Sequence, residues 1–201
     1  LIASLLLFND HGEPNTTTNE IADEVDISPG NLHYHFRRKS DIVAALLAEF
    51  QADARRVLAP PGDELGSLDD FWVFLHLLLE LKAAYGFLFR DTESLVGDYP
   101  QVANAMRHFA RGLTATFELH VHALSASGVI RLPTAEHSVV ARNLTVIALF
   151  SERFDRIVDT SQSTEDSALR IAAAVLNVLK PYAERSARQH LEELAARYEP
   201  D

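Results

Sequence analysis

The sequence predicts an all-α fold, and three observations carry that expectation. Long segments repeat apolar residues every three to four positions, the mark of helices buried along one face. No segment sustains apolar/polar alternation with β-branched enrichment, and no Asn-Gly or Asp-Gly hairpin signal occurs. Eight glycines and eight prolines among 201 residues are too few for a fibrous or disordered chain.

The elements follow in order. Leu1 to about His11 reads as a short apolar helix stopped by Gly12, with Pro14 in the connector. The chain opens at Leu1 inside that apolar run, without methionine, so residues upstream are expected. A second helix starts in "TTTNEIADEV", where Thr17 and Glu20 have capping-box spacing and Ile21, Ala22 and Val25 form the expected inner stripe. In "SPGNLHYHF", Ser28 suits an N-cap and Pro29 the first helical position. A long helix is expected over 40–58 with Ser40 as its cap.

"APPGDELGS" (59–67) is the clearest internal boundary, dense in turn residues. Beyond it the pattern predicts helices at 67–85, 87–96, 100–127, 134–158 and 165–180. Connectors are expected at "SGVIRLP" and "DTSQSTED". Pro181 breaks the pattern before a final charged helix to about Tyr198. Two domains follow from this reading: 1–50, and a larger helical one at 51–201.

Composition excludes several classes. With no cysteine, neither a disulfide framework nor a thiolate metal site is possible. The longest apolar stretch, 71–89, carries His76, Glu80 and Lys82, so no membrane span is expected. The formal net charge of -11 argues against a protein that coats nucleic acid without specificity. Even residues 1–50 set Arg37, Arg38 and Lys39 against eight acidic residues. No nucleophile elbow, P-loop or dinucleotide fingerprint is present, so no catalytic residues and no cofactor are assigned.

Two short helices separated by about three residues, 17–25 and 29–36, make a helix-turn-helix whose second helix fits a DNA major groove. At ~100° per residue, Leu32 and Phe36 share the inner face of that second helix. Gly30, Asn31 and Tyr34 point away from it, and His33 and His35 lie on the flanks. Gly30 allows close approach, Asn31 can pair with an adenine edge, and Tyr34 offers an apolar face and a hydroxyl. The helix starts at Thr17, Thr18 and Ser28 present free N–H groups to phosphate, and Lys39 adds a cation at the rim.

"TTTNEIADEVDISPGNLHYHFRRKSDIVAALL" resembles the DNA-binding domain of TetR/AcrR-family bacterial transcriptional regulators. The shared features are the Thr opening the helix, the Ile-Ala within it, "I-S-x-G-x-L" across the turn, the closing "H-F", and Lys three residues later. The resemblance implies that Thr17, Ser28, His33, Tyr34, His35 and Lys39 touch DNA, mostly its backbone. Two positions depart from the family pattern: Asp26 stands where Gly is usual, and His33 where Tyr is usual.

The resemblance further implies a helical effector-binding and dimerisation domain. The sequence places a C2 dimer seam on Val140, Leu144, Ile147 and Phe150 of one helix and Ala168, Ile171, Ala172, Val175 and Leu179 of the next. The alternative is a single core within a monomer. Trp72, His76, Tyr85, Phe89, Met106, Phe109 and Phe117 are the candidate lining of an effector pocket, with ordinary core packing as the alternative for each. Arg90 and Glu93 have ion-pair spacing. Glu118 and His122 share a helix face without a third ligand, so no metal is expected. The expectation is a cytoplasmic, nucleoid-associated bacterial repressor, binding a palindromic double-stranded operator as a homodimer and answering to a small-molecule effector. The alternative is an acidic helical module that binds a protein through its first three helices.

Overall fold

The computed structural model describes residues 1–59, 66–158 and 164–196, with backbone alone for 164–167. The expected boundary at 59–67 and the loop at 159–166 lie largely outside the described residues, and the expected helix end at Tyr198 lies wholly outside them. The described residues form eleven α-helices: α1 (Ile2–His11), α2 (Thr18–Glu24), α3 (Pro29–His35), α4 (Lys39–Val57), α5 (Leu68–Ala84), α6 (Gly86–Arg90), α7 (Thr92–Asp98), α8 (Pro100–Ala126), α9 (His137–Val158), α10 (Thr164–Leu179) and α11 (Arg185–Ala196). Among the described residues the sole β-type pairing is an isolated antiparallel bridge between Ile130 and Ala183.

The single helix expected at 87–96 is two helices, α6 and α7, joined at Asp91. Arg90, expected to pair with Glu93, reaches α1. Its guanidinium donates to the Phe8 and Asn9 carbonyls at 2.7 and 2.6 Å and pairs with Asp91 at 3.3 Å. α4 begins one residue earlier than expected, where the Asp41 carboxylate accepts the Arg38 N–H at 3.0 Å; the cap is Asp41 reaching back, not Ser40.

The chain divides into two compact units. The first comprises Leu1–Arg56 and Ala84–Phe109, and the second Val57–Ala83 and Ala110–Asp201. In the first, Phe8, Ile21, Ala22, Leu32, Ile42, Leu46, Phe50 and Phe87 are buried. Phe50 sits at the centre of an aromatic cluster, with ring centroids 5.4, 5.9 and 5.2 Å from Tyr85, Phe89 and Phe109. In the second, Phe71, Phe74 and Phe117 pack around His120.

Most residues of the expected dimer seam are used by the chain's own core. Val140, Leu144, Ile171, Ala172, Val175 and Leu179 are buried inside the single chain, and Ile147 and Ala168 are half-buried. The cause is that α9 is apolar on two sides. Val140, Leu144 and Ala148 turn to the core together with Ala141. Val139, Val146, Phe150, Phe154 and Ile157 form a second stripe on roughly the opposite side at ~100° per residue, and all five are exposed. Apolar spacing alone does not say which stripe a chain keeps for itself.

Candidate nucleic-acid interface

The helix-turn-helix is built by local hydrogen bonds. Thr17 caps α2: its hydroxyl accepts the Glu20 N–H at 3.2 Å, while the Glu20 carboxylate accepts the Thr17 N–H at 2.7 Å and the Thr17 hydroxyl at 2.9 Å. These bonds, the backbone one first, hold the Glu20 carboxyl below the usual carboxylate range. α2 ends at Glu24, so Val25 falls in the turn and is exposed rather than part of the inner stripe. Asp26 takes a left-handed φ of 53°, and the Ile27 N–H closes back on the Ala22 carbonyl at 3.0 Å. The Asp side chain tolerates a conformation that costs most L-residues roughly 1–2 kcal/mol. Ser28 then caps α3 by accepting the Asn31 N–H at 3.2 Å, with Pro29 at the first helical position.

One face of α3 is inside and the rest is presented to solvent. Leu32 is buried and Phe36, at the C-cap, is half-buried. Gly30, Asn31, His33, Tyr34 and His35 are exposed, as are the caps Thr17 and Ser28; Thr18 is half-buried. Tyr34 is 84% exposed and meets the His35 ring edge-on at 5.3 Å. A seven-residue helix that leaves two imidazoles, a phenol and an amide in water gains little stability from them. They form a surface with stacking faces, donors and acceptors in one strip.

Lys39 differs from the rest. Its ammonium donates to the Glu13 and Thr16 carbonyls at 2.9 and 3.1 Å and pairs with Glu13 Oε1 at 3.0 Å. Three donors thus meet three acceptors. Sequence placed this cation at the rim; in the structure it clamps the turn 13–16 that leads into the Thr17 cap. Glu13 is 2% exposed and also accepts the Tyr99 hydroxyl at 2.6 Å. Burial, then the bond to Glu13, push the Tyr99 phenol well above its usual range. Neither Glu13 nor Tyr99 was visible as a site residue in the sequence, since a lone Glu in a Gly-Glu-Pro turn has no periodic signature.

The seven candidate effector-pocket residues are not one group. Tyr85, Phe89, Met106 and Phe109 belong to the first unit, where Tyr85 donates its hydroxyl to Asp53 at 2.7 Å and Phe109 is buried. Trp72, His76 and Phe117 belong to the second, where the Trp72 and His76 rings lie 4.4 Å apart and Phe117 is buried. Among the buried polar atoms of that unit without a hydrogen-bond partner among the described residues are Trp72 Nε1 and His120 Nε2. Burial pulls the His120 imidazole down to about 4, so it is neutral at physiological pH. A separate pocket of about 420 Å³ is lined by Ala115, Glu118, Leu119, His122, Thr134 and His137. It brings His137 beside the Glu118/His122 pair, with the two imidazole centroids 5.5 Å apart. No group of three or more His, Asp or Glu among the described residues is placed to hold a metal ion, and no described helix is long and apolar enough to cross a membrane.

An all-helical chain with a capped helix-turn-helix at one end and a larger helical body has the architecture of a DNA-binding transcriptional regulator. Family comparison agrees. A family model described as bacterial regulatory proteins, tetR family, matches residues 1–46, and one described as bacterial transcriptional repressor matches residues 49–191. A TetR-family transcriptional regulator from Marinobacter aquaeolei VT8 is 30% identical with a TM-score of 0.87, over 99% of this chain and 96% of that one. The chain therefore belongs to the TetR family of bacterial transcriptional regulators.

More distant structures share the fold. A gamma-butyrolactone receptor (ArpA-like protein) is 17% identical with a TM-score of 0.63, covering 98% of this chain and 92% of that one. SmeT in complex with triclosan is 17% identical with a TM-score of 0.62, covering 92% and 90%. No curated protein matches the chain by sequence.

Proposed function

We propose that this regulator binds a palindromic operator as a homodimer, reads it through α3, and releases it when a small molecule occupies the helical body. The observation that carries this reading is the exposed strip of Gly30, Asn31, His33, Tyr34 and His35 between the capped helix starts at Thr17 and Ser28. Two such helices on a two-fold axis would enter successive major grooves ~34–36 Å apart. Duplex sequences enriched from a random pool, tested by fluorescence anisotropy, decide the matter: inverted half-sites are expected, and enrichment of nothing, or of an unpaired half-site, would refute it.

Support for the homodimer comes from the outer stripe of α9. Phe150, Phe154 and Ile157 are 52%, 65% and 77% exposed, a run of apolar side chains that an isolated chain leaves in water. Phe150→Glu with Phe154→Glu should convert dimer to monomer in sedimentation velocity while far-UV circular dichroism stays unchanged. A variant that remains dimeric would place the seam elsewhere.

Effector response is supported by the unsatisfied indole N–H of Trp72 and the neutral His120, two buried polar groups of the second unit that a ligand would satisfy. Two relatives of the same fold are described as a butyrolactone receptor and as a triclosan complex, which fits mainly apolar effectors carrying one or two polar atoms. Coupling in such systems is typically ~1–3 kcal/mol. Identical operator affinity across a library of apolar carbonyl and phenol compounds would count against this part of the reading.

A further inference from the structure

The segment Ala84–Phe109 is fastened to the approach to the helix-turn-helix by polar side chains that converge on residues 8–16. The Asn9 amide donates to the Ala84 carbonyl at 2.9 Å and accepts the Phe87 N–H at 3.0 Å. Arg90 takes the Phe8 and Asn9 carbonyls in the last turn of α1, where the Phe8 carbonyl also accepts the Gly12 N–H at 3.0 Å. Gly12 lies so close to Asp91 that a Cβ there would stand 3.2 Å from Oδ2. Beyond it, the Tyr99 hydroxyl and the Lys39 ammonium meet on the same oxygen of Glu13, at 2.6 and 3.0 Å.

These contacts are ordered in sequence. Tyr99 is the C-cap of α7, immediately before α8 begins at Pro100. Glu13 and Thr16 bracket the turn that Lys39 closes, and the next residue is the Thr17 cap of α2. Glu13 is buried, so a carboxylate oxygen that loses the phenol donor has no water to replace it and must lean on Lys39 alone. That shift draws the ammonium away from the two backbone carbonyls it holds.

We propose that Tyr99 is a positioning residue for DNA reading: through Glu13 and Lys39 its hydroxyl fixes the 13–16 turn, so that displacement of the 84–109 segment is felt at α2 and α3. The DNA arm of this inference rests on the operator reading above. The fold itself supplies a matched control. Tyr85 makes a second phenol–carboxylate bond in the same unit, its hydroxyl donating at 2.7 Å to Asp53 of α4 and not to a residue of 8–16.

The test compares full-length wild type, Tyr99→Phe and Tyr85→Phe. Amide hydrogen exchange without DNA is expected to be roughly tenfold faster at residues 16–24 in Tyr99→Phe alone, while Tyr85→Phe loses less thermal stability because Asp53 is 40% exposed and water can replace the lost donor. Affinity for a duplex enriched by the wild type should fall roughly tenfold in Tyr99→Phe and stay within about twofold in Tyr85→Phe. Equal exchange at residues 16–24 in the two variants, or no change there in Tyr99→Phe, overturns the proposal. Equal loss of DNA affinity in both variants overturns it too. If the wild type enriches no duplex, the operator reading fails, and the exchange comparison still decides whether Tyr99 positions α2.

Discussion

α3 and α9 both hold aromatic rings out to solvent, yet they are kept in place by opposite means. α3 has seven residues and one buried side chain, Leu32; it depends on the Ser28 cap, Pro29 and the Asp26 turn for its shape. α9 has twenty-two residues and is fixed by burial of Val140, Ala141, Leu144 and Ala148 against its own chain. Exposure on α3 is of polar rings, which water tolerates; exposure on α9 is of Phe and Ile, which it does not. The difference teaches that a helix held by caps can change its outward residues freely, whereas a helix held by packing cannot change its inward ones.

The sharpest way to break this contrast is Leu144→Ala. A fully buried leucine on α9 should cost about 2–5 kcal/mol, read as a fall in the urea midpoint. A loss below 1 kcal/mol would mean that α9 is not anchored by that face. Next comes the buried His120. Its folded pKa of about 4 lies below the ordinary 6.5, so the unfolded chain binds more protons between those values and stability falls as pH drops through that window. About 3 kcal/mol should be lost by pH 4 relative to His120→Leu, followed by thermal melts at each pH.

Tyr34→Ala should do the reverse. At 84% exposure the ring contributes almost nothing to stability, so the melting temperature should hold while operator affinity drops roughly 10- to 100-fold, ~1–3 kcal/mol. A stability loss with unchanged affinity would move Tyr34 from reading to structure. The smallest effect is expected at the cap: Ser28→Ala should cost about 1 kcal/mol, visible as faster exchange of the Asn31 amide.

The same contrast explains what could be read from residues alone. Caps and turns use few residue types for stereochemical reasons, so Thr17, Glu20, Ser28 and Pro29 announced their elements, and the structure forms the capping box and the Ser28 cap they predicted. Apolar residues carry no such label. On α9, Val140 and Val139 are chemically alike, and only the packing partner makes one core and the other surface. The bonds Lys39 makes were not legible for a related reason: a lysine's sequence position does not show that a backbone turn twenty-three residues earlier supplies its acceptors. Phe87 and Tyr99 belong to the first unit through long-range contacts, which no local pattern near residue 50 reveals.

The saturated ammonium of Lys39 has a consequence for ionic strength. An ammonium whose N–H donors are already bound by Glu13 and Thr16, and whose charge Glu13 balances, should release few counterions from a duplex. Within residues 1–50 that leaves Arg37 and Arg38, both exposed, as the formal charges available to phosphate. With a slope of about -0.9 per neutralised phosphate, two arginines per head set a dependence near -2 in log K against log salt, or near -4 for a two-headed complex. Such a protein would hold its site across a wide range of salt, and would leave nonspecific DNA almost untouched.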